Sequence, residues 1–149
     1  MFAPKNILVP TDFSKFSDAA LKEAVDIASQ HGSTIYLLHV IDQAVQQCAI
    51  DYCLEYSVVE MLKRESVKTS EKNLEKERAA IVKSQDIKVV IDVKNGVPSE
   101  VILKEQKAKK IDLIVISSHG KTGLLNQLMG SVADKVIKGA KCPVIVVKK

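Results

Sequence analysis

Ser117-x2-Gly120-x9-Gly130-Ser131 has the residue types and spacing for one kind of chemistry, the holding of an anion. An apolar run from Asp112 to Ser117 breaks into Ser118-His119-Gly120, and Gly130-Ser131-Val132 heads the next helical stretch. A strand that empties into a glycine-bearing loop and then a helix N-terminus aims unpaired backbone N–H groups at one spot. The positive end of the helix, about half a unit charge, points the same way. A phosphate suits that spot, and His119 and Lys121 stand beside it as neighbours able to meet phosphate charge.

Other chemistries fail on spacing. Gly120-Lys121-Thr122 has the ending of a P-loop, but the glycine required five positions earlier is Val115, inside a strand. No GxGxxG follows the first apolar run and no GxSxG occurs, so neither a dinucleotide fingerprint nor a hydrolase nucleophile elbow is present. His119 adjoins Ser117 and Ser118, yet neighbours in one loop rarely meet in catalytic geometry, and no acidic residue stands nearby to orient the ring. A loop histidine touching phosphate or backbone is the better reading.

The elements that must position these residues follow from periodicity. Ile7 to Val9 is a short strand ended by Pro10. Ser14 or Ser17 caps a helix whose Ala20, Leu21, Ala24, Ile27 and Ala28 share a face, closed at Gly32. Thr34 to Ile41 is a second strand. After the segment 42–56, a charged helix runs to about Lys83 with Val67, Leu74 and Ile81 on one stripe. Ser70 and Glu77 interrupt that stripe, which favours an amphipathic surface helix over a coiled coil. Ile87 to Val93 is a third strand, turning at Asn95-Gly96 into a helix begun by Pro98. Ile111 to Ser117, a helix from Ser131 to about Lys138, and Pro143 to Val147 complete the order.

Strands alternating with helices, mostly as continuous apolar runs, predict an open, doubly wound, five-stranded parallel sheet with helices on both faces. Crossovers in it are right-handed, and its ligands sit beyond the carboxyl ends of the strands where strand order reverses. Those ends are Pro10-Thr11-Asp12, His39-Val40-Ile41-Asp42, Asn95-Gly96-Val97-Pro98 and Ser117 to Gly120, with Gly130-Ser131-Val132 returned by the long loop. Each has a plainer alternative: Asp12 as a turn or helix cap, Gly96 as part of an Asn-Gly turn, Gly130-Ser131 as a helix start, His39 as a structural histidine.

Length and composition fit one domain over residues 1–149, since 149 residues, 46% of them apolar, close a single substantial core. The net charge of +4 comes from basic residues interleaved with acidic ones, a solvated surface with no footprint for nucleic acid. No apolar run approaches the roughly 20 residues of a membrane span, and no signal-peptide core precedes Pro10. Three cysteines, Cys48, Cys53 and Cys142, form an odd set that fits a reducing compartment, so a cytoplasmic protein is expected. Cys48 and Cys53 share one segment and are open to pairing or to metal, without a nearby histidine or third cysteine.

The opening Ile7-Leu8-Val9-Pro10-Thr11-Asp12-Phe13-Ser14, the Leu37-Leu38-His39-Val40-Ile41 strand, and the closing Asp112–Ile116 and Pro143–Val147 runs resemble the universal stress protein family over almost the whole chain. That family's ATP-binding branch carries G-x2-G-x9-G-[ST], here Ser117-x2-Gly120-x9-Gly130-Ser131, with Ser117 replacing the first glycine. The resemblance implies a Rossmann-like fold of the adenine nucleotide alpha hydrolase type. It also implies an ATP site, with or without a magnesium or manganese ion. By that similarity Asp12 and Val40 hold adenine, and Pro10, Thr11 and Gly96 shape the base and ribose walls. Gly120, Gly130, Ser131 and Val132 meet the phosphates through their amides. Ser117 favours the family's nucleotide-independent branch, an interaction module with a protein partner that the residues do not name.

No residue supplies an activated nucleophile or a positioned base, so a binding protein, at most a weak ATPase, is expected. Val144-Ile145-Val146-Val147, apolar and β-branched, occupies a sheet edge by the same resemblance and predicts a homodimer through the final strand, with Lys148 and Lys149 as the opposing gatekeepers.

Overall fold

The structure, a computed structural model, describes residues 1–44, 47, 51, 55–121 and 129–148. Cys48 and Cys53, and with them the disulfide and metal readings, lie outside the described residues, as does Lys149. The elements are β1 (Asn6–Pro10), α1 (Lys15–His31), β2 (Thr34–Asp42), α2 (Tyr56–Ile81), β3 (Val89–Gly96), α3 (Pro98–Ala108), β4 (Leu113–Ser117), α4 (Ser131–Gly139) and β5 (Val144–Val147). The strands form one parallel sheet in the order β3-β2-β1-β4-β5. The chain winds outward from β1 through β2 to β3, then crosses to the other side for β4 and β5. Strand order therefore reverses between β1 and β4.

Period-two alternation gives each sheet face its own core. Ile7, Val9, Ile35, Leu37, Leu113 and Val115 point to one face and pack with Ala20, Leu21, Ala24 and Ala28 of α1 and Leu74 of α2. Leu8, Leu38, Ile114 and Ile116 point to the other and pack with Ile102 of α3 and Ala133 and Val136 of α4. Each fully buried Leu or Ile contributes about 1.5–3 kcal/mol. Ala20, Ala24 and Ala28 leave Leu21 as the large fully buried side chain that α1 places against this face. That helix starts at Ser14, whose hydroxyl accepts the Ser17 N–H, and stops at Gly32 in the left-handed region (φ 66°).

The β1–β4 pairing fixes the site. At its far end Asp112 accepts the Lys5 and Asn6 N–H groups at 2.8 and 3.0 Å, which sets the register. The ladder then runs through Ile7↔Leu113 and Leu8↔Ile114 and stops, while β1–β2 pairing continues to Pro10↔Leu38. Pro10 accounts for the difference. The Thr11 N–H points to β2, donating to the Leu38 carbonyl at 2.8 Å, so the preceding nitrogen faces β4, where proline has no hydrogen to give. The two strand ends part there and leave a crevice.

The starts of β3 and β4 and the buried face of α2 differ from the sequence reading. β3 begins at Val89 and runs through Asn95 and Gly96, which end the strand and are not a separate turn. β4 begins at Leu113 because Ile111 and Asp112 are spent on the approach. In α2 the buried face is Val59, Ser70, Leu74 and Glu77, while Val67 and Ile81 are half-buried. The polar interruptions of the stripe are inside.

Candidate functional site

The crevice between the β1 and β4 ends opens into a cleft at the carboxyl edge of the sheet. One part is apolar: Leu38 and Val40 from β2, two apart and so on one face, Ile116 from β4, and Pro98 and Ile102 from the first turns of α3. The other part is polar backbone: Ser117, Ser118, His119 and Gly120 from the loop after β4, and Gly130, Ser131, Val132 and Ala133 at the head of α4. Pro10, Thr11, Asp12 and Ser17 form the wall between them.

At the head of α4, Gly130 takes the N-cap position, so Ser131 is the first helical residue and not the cap. Among the described residues, no side chain caps this end. Asp134 N–H is the first to reach back, donating to the Gly130 carbonyl at 3.0 Å, and the amides of Ser131, Val132 and Ala133 have no intrahelical acceptor. All three residues line the cleft. The Gly130 N–H is committed to the Ser118 carbonyl at 2.7 Å, which docks the helix onto the loop after β4. Since the Ser118 N–H donates to Val147 of β5 at 2.9 Å, the Ser117 N–H is turned to the β1 side, into the crevice. Ser117 is not in the left-handed region, so its backbone does not need glycine.

Asp12 is held from three directions. One oxygen accepts the Ser14 N–H at 3.0 Å and the Ser17 hydroxyl at 3.1 Å; the other accepts the Lys121 N–H at 2.7 Å. Burial works to raise its pKa, but these donors outweigh it and hold the carboxyl below the usual range. The loop is shaped by Phe13 at φ 64°, left-handed without being glycine, with its ring 4.4 Å from that of His39. His39 is half-buried and satisfied: Nδ1 lies 2.8 Å from the Thr11 carbonyl, an acceptor only, so Nδ1 carries the hydrogen. Burial, more than any neighbour, lowers its pKa.

Of the residues singled out in the sequence, Pro10, Thr11, Asp12, Val40, Ser117, His119, Gly120, Gly130, Ser131 and Val132 line this one cleft, and Gly96 does not. β3 lies one strand beyond β2, which places Gly96 away from the crevice. It sits instead at φ 147°, where an added Cβ would lie 2.8 Å from Val101 Cγ2. Lys121 projects over the Phe13 ring at 5.7 Å. Ser118 and His119 do meet, Oγ to Nδ1 at 2.9 Å, but Ser118 is buried and its oxygen is not presented to a substrate.

Sequence reasoning missed Leu38, Ile116, Ile102, Ala133 and Ser17. Leu38 and Ile116 were accessible through the period of two from Val40 and from the strand end. Ile102 needed the packing of α3 across the sheet. Behind the cleft, and invisible in the helix pattern, buried Glu77 of α2 lies 2.9 and 3.0 Å from the Thr11 hydroxyl through its two oxygens. Burial pushes this carboxyl up to about 7, opposed by the Thr11 contact and aided by Asp18 and Asp12.

Among the described residues, no three His, Cys, Asp or Glu side chains gather as a metal site, and no helix is long and apolar enough to cross a membrane.

The model of the Universal stress protein family matches residues 4–148. Universal stress protein MJ0531 of Methanocaldococcus jannaschii is 35% identical over 145 residues, covering 97% of this chain and 82% of the relative. Universal stress protein MJ0577 of the same organism is 35% identical over 159 residues, covering 97% and 95%. The solved structure of MJ0577 superposes with a TM-score of 0.85 at 32% identity, over 99% of this chain and 98% of that one. Two further structures share the fold at lower identity. A universal stress protein in complex with cAMP has a TM-score of 0.63 at 18%, covering 99% of this chain and 98% of its own. One from Archaeoglobus fulgidus in complex with dAMP has a TM-score of 0.60 at 19%, covering 99% and 100%.

Proposed function

Because this chain belongs to the universal stress protein family, we propose that its cleft holds an adenine nucleotide, ATP foremost, and that the protein is a non-catalytic, dimeric stress-response or signalling module. The observation that carries this reading is the opening of an apolar slot and an uncapped helix N-terminus into one cleft at the switch point of the sheet. The slot fits a purine and the three amides of α4 fit phosphate oxygens. Two proteins of this fold are described in complex with cAMP and dAMP, which supports the nucleotide class.

In this reading the base lies against Leu38, Val40 and Ile116, with the second Asp12 oxygen, which has one acceptor position left beside Lys121, and the Val40 backbone toward its amino edge. Pro10 and Thr11 wall the ribose. Ser117, Gly120, Ser131 and Val132 present amides to the phosphates, with the Ser131 hydroxyl as a further donor. His119 and Lys121 flank them. A magnesium or manganese ion arriving with ATP would be held chiefly by the nucleotide and would supply charge neutralisation at the phosphates, since among the described residues no three His, Cys, Asp or Glu side chains gather to hold it. No described group is placed to activate water, so turnover is at most that of a weak ATPase.

Isothermal calorimetry tests the reading. ATP gives measurable heat and GTP less, because guanine puts a carbonyl where adenine has its amino group; no heat from either at millimolar concentration overturns it. A second reading, a nucleotide-independent interaction module with a protein partner, is favoured by Ser117 alone. Since the Ser117 backbone is not left-handed, only its side chain stands in the way, and Ser117→Gly should tighten ATP binding. No change would remove Ser117 from consideration.

The dimer is proposed on β5, which lies at the sheet edge with Val144, Ile145, Val146 and Val147 each half-buried. Pairing this edge with a second copy about a two-fold axis satisfies both edges with one patch.

A further inference from the structure

The Thr11 and Ser17 hydroxyls between Glu77 and Asp12 have too few hydrogens for the contacts they make. Thr11 Oγ1 lies 2.9 and 3.0 Å from the Glu77 oxygens and 3.0 Å from Ser17 Oγ, and it accepts the Phe13 N–H at 3.0 Å. Ser17 Oγ lies 3.1 Å from Asp12 Oδ1 and 2.9 Å from the Ser14 carbonyl. Each hydroxyl has one hydrogen and two lone pairs. Asp12 Oδ1 and the Ser14 carbonyl only accept, so the Ser17 hydrogen goes to them. The contact between Thr11 and Ser17 then takes the Thr11 hydrogen. The contact between Glu77 and Thr11 is left without one unless Glu77 supplies it.

Asp12 is not the source, because both its oxygens already accept backbone N–H groups. With Glu77 as the acid, the side-chain contacts run in one sense: Glu77 donates to Thr11, Thr11 to Ser17, and Ser17 shares its one hydrogen between Asp12 and the Ser14 carbonyl. The Phe13 N–H and the Glu77 hydrogen fill the two lone pairs of Thr11. We infer that Glu77, as a neutral carboxylic acid, is a positioning residue for the nucleotide site, heading a one-way hydrogen-bond relay that sets the orientation of Asp12. The inference rests on the nucleotide reading above.

The surroundings agree. The acidic groups acting on Glu77 are Asp18 from α1, which is also a side-chain hydrogen-bond partner of Glu77 and favours its acid form, and Asp12 from the loop after β1. His39, at the end of β2, is engaged with the Thr11 carbonyl, and Lys121 reaches the relay only through its backbone at Asp12. On α2 itself Arg78 is paired with Glu75. Ionising Glu77 turns the Thr11 hydrogen to it and the Ser17 hydrogen to Thr11. Asp12 loses a donor, and a second negative charge stands behind the cleft.

The test uses the whole chain and two readouts. Nuclear magnetic resonance of the ligand-free protein follows the Glu77 carboxyl carbon and the Ser14 and Lys121 amides, which report on Asp12. From pH 5.5 to 8.5 all three should titrate with one midpoint. In Glu77→Gln, whose amide donates to Thr11 in the same sense and does not titrate, the Ser14 and Lys121 amides should lose that transition and keep only what the histidines cause. In Thr11→Val the Glu77 carbon should still titrate while the amides stay flat. Amides that titrate alike in wild type and Glu77→Gln overturn the relay. Adenosine, which has no group titrating in this range, should bind roughly tenfold more weakly at pH 8.5 than at pH 6, with no such loss in Glu77→Gln. An equal loss in both overturns the positioning role. Adenosine that binds neither protein, beside an intact amide titration, overturns the nucleotide reading and leaves the relay standing.

Discussion

The Asp12 carboxylate accepts the Lys121 backbone N–H at 2.7 Å, joining the loop after β1 to the loop after β4 across 109 positions of chain. The bond requires the backbone to lie almost on the carboxylate. Gly120 allows it: any side chain there would run into Asp12. The motif glycine therefore has a structural duty within the protein, whatever the cleft holds.

Gly120→Ala should displace Asp12 and lower stability by about 1–3 kcal/mol, the range for steric overpacking, and weaken ATP in calorimetry at least tenfold. Asp12→Ala in the same background should restore part of the stability and none of the affinity. Full stability in Gly120→Ala alone would mean that the two loops do not meet this closely.

Gly96→Ala should be costly for a different reason. The residue is left-handed and its Cβ would press on Val101, so a loss of about 2–4 kcal/mol is expected from strain and overpacking together. Adding Val101→Ala relieves the second part only. Urea denaturation of the single and double variants separates the two, and a neutral Gly96→Ala sinks the account.

Glu77 sets a pH dependence of stability. Its pKa rises from 4.5 to about 7 on folding, so its contribution is fully present below pH 4.5 and is lost as pH rises through 7. After allowance for screening, about 2 kcal/mol is at stake. Relative to wild type, Glu77→Gln should gain melting temperature with rising pH, by about 5 °C at pH 8 over pH 4.5 for a domain of this size. Parallel melting curves across that window would count against the buried acid.

For the dimer, sedimentation of the native chain and of Val146→Lys decides. The native protein should sediment as a dimer and the variant as a monomer. Val146 also packs on the core beneath α3 and α4, so circular dichroism must show the variant folded. A monomeric native protein removes the proposal, and an undisturbed, folded dimer in the variant moves the interface off β5.

Most strands were legible because they are apolar runs bounded by a breaker, such as Pro10 after Ile7-Leu8-Val9 or Gly32 before Thr34. The strand ends named in the sequence supplied most residues that line the cleft, since a parallel sheet has a single carboxyl edge. Two kinds of residue escaped. Ile102 reaches the slot only because α3 crosses back over β2, a tertiary fact without a local pattern. Glu77 read as a polar interruption of the apolar stripe because helical periodicity cannot mark a buried carboxyl, and the Thr11 hydroxyl beneath it accounts for its place inside. Gly96, which the family resemblance assigned to a site wall, lies outside the cleft lining at a strand end packed on Val101.

The central place of β1 has a consequence for biosynthesis. One edge of β1 is covered by β2 soon after it is made, but the other waits for β4, roughly a hundred residues later, which at about 5–20 residues per second means about 5–20 seconds on the ribosome. Throughout that interval an apolar strand stands with an open edge. A ligand that bridges the ends of β1 and β4 has nothing to grip until β4 has been made, so it can reward an assembled sheet and cannot assist one still waiting for that strand.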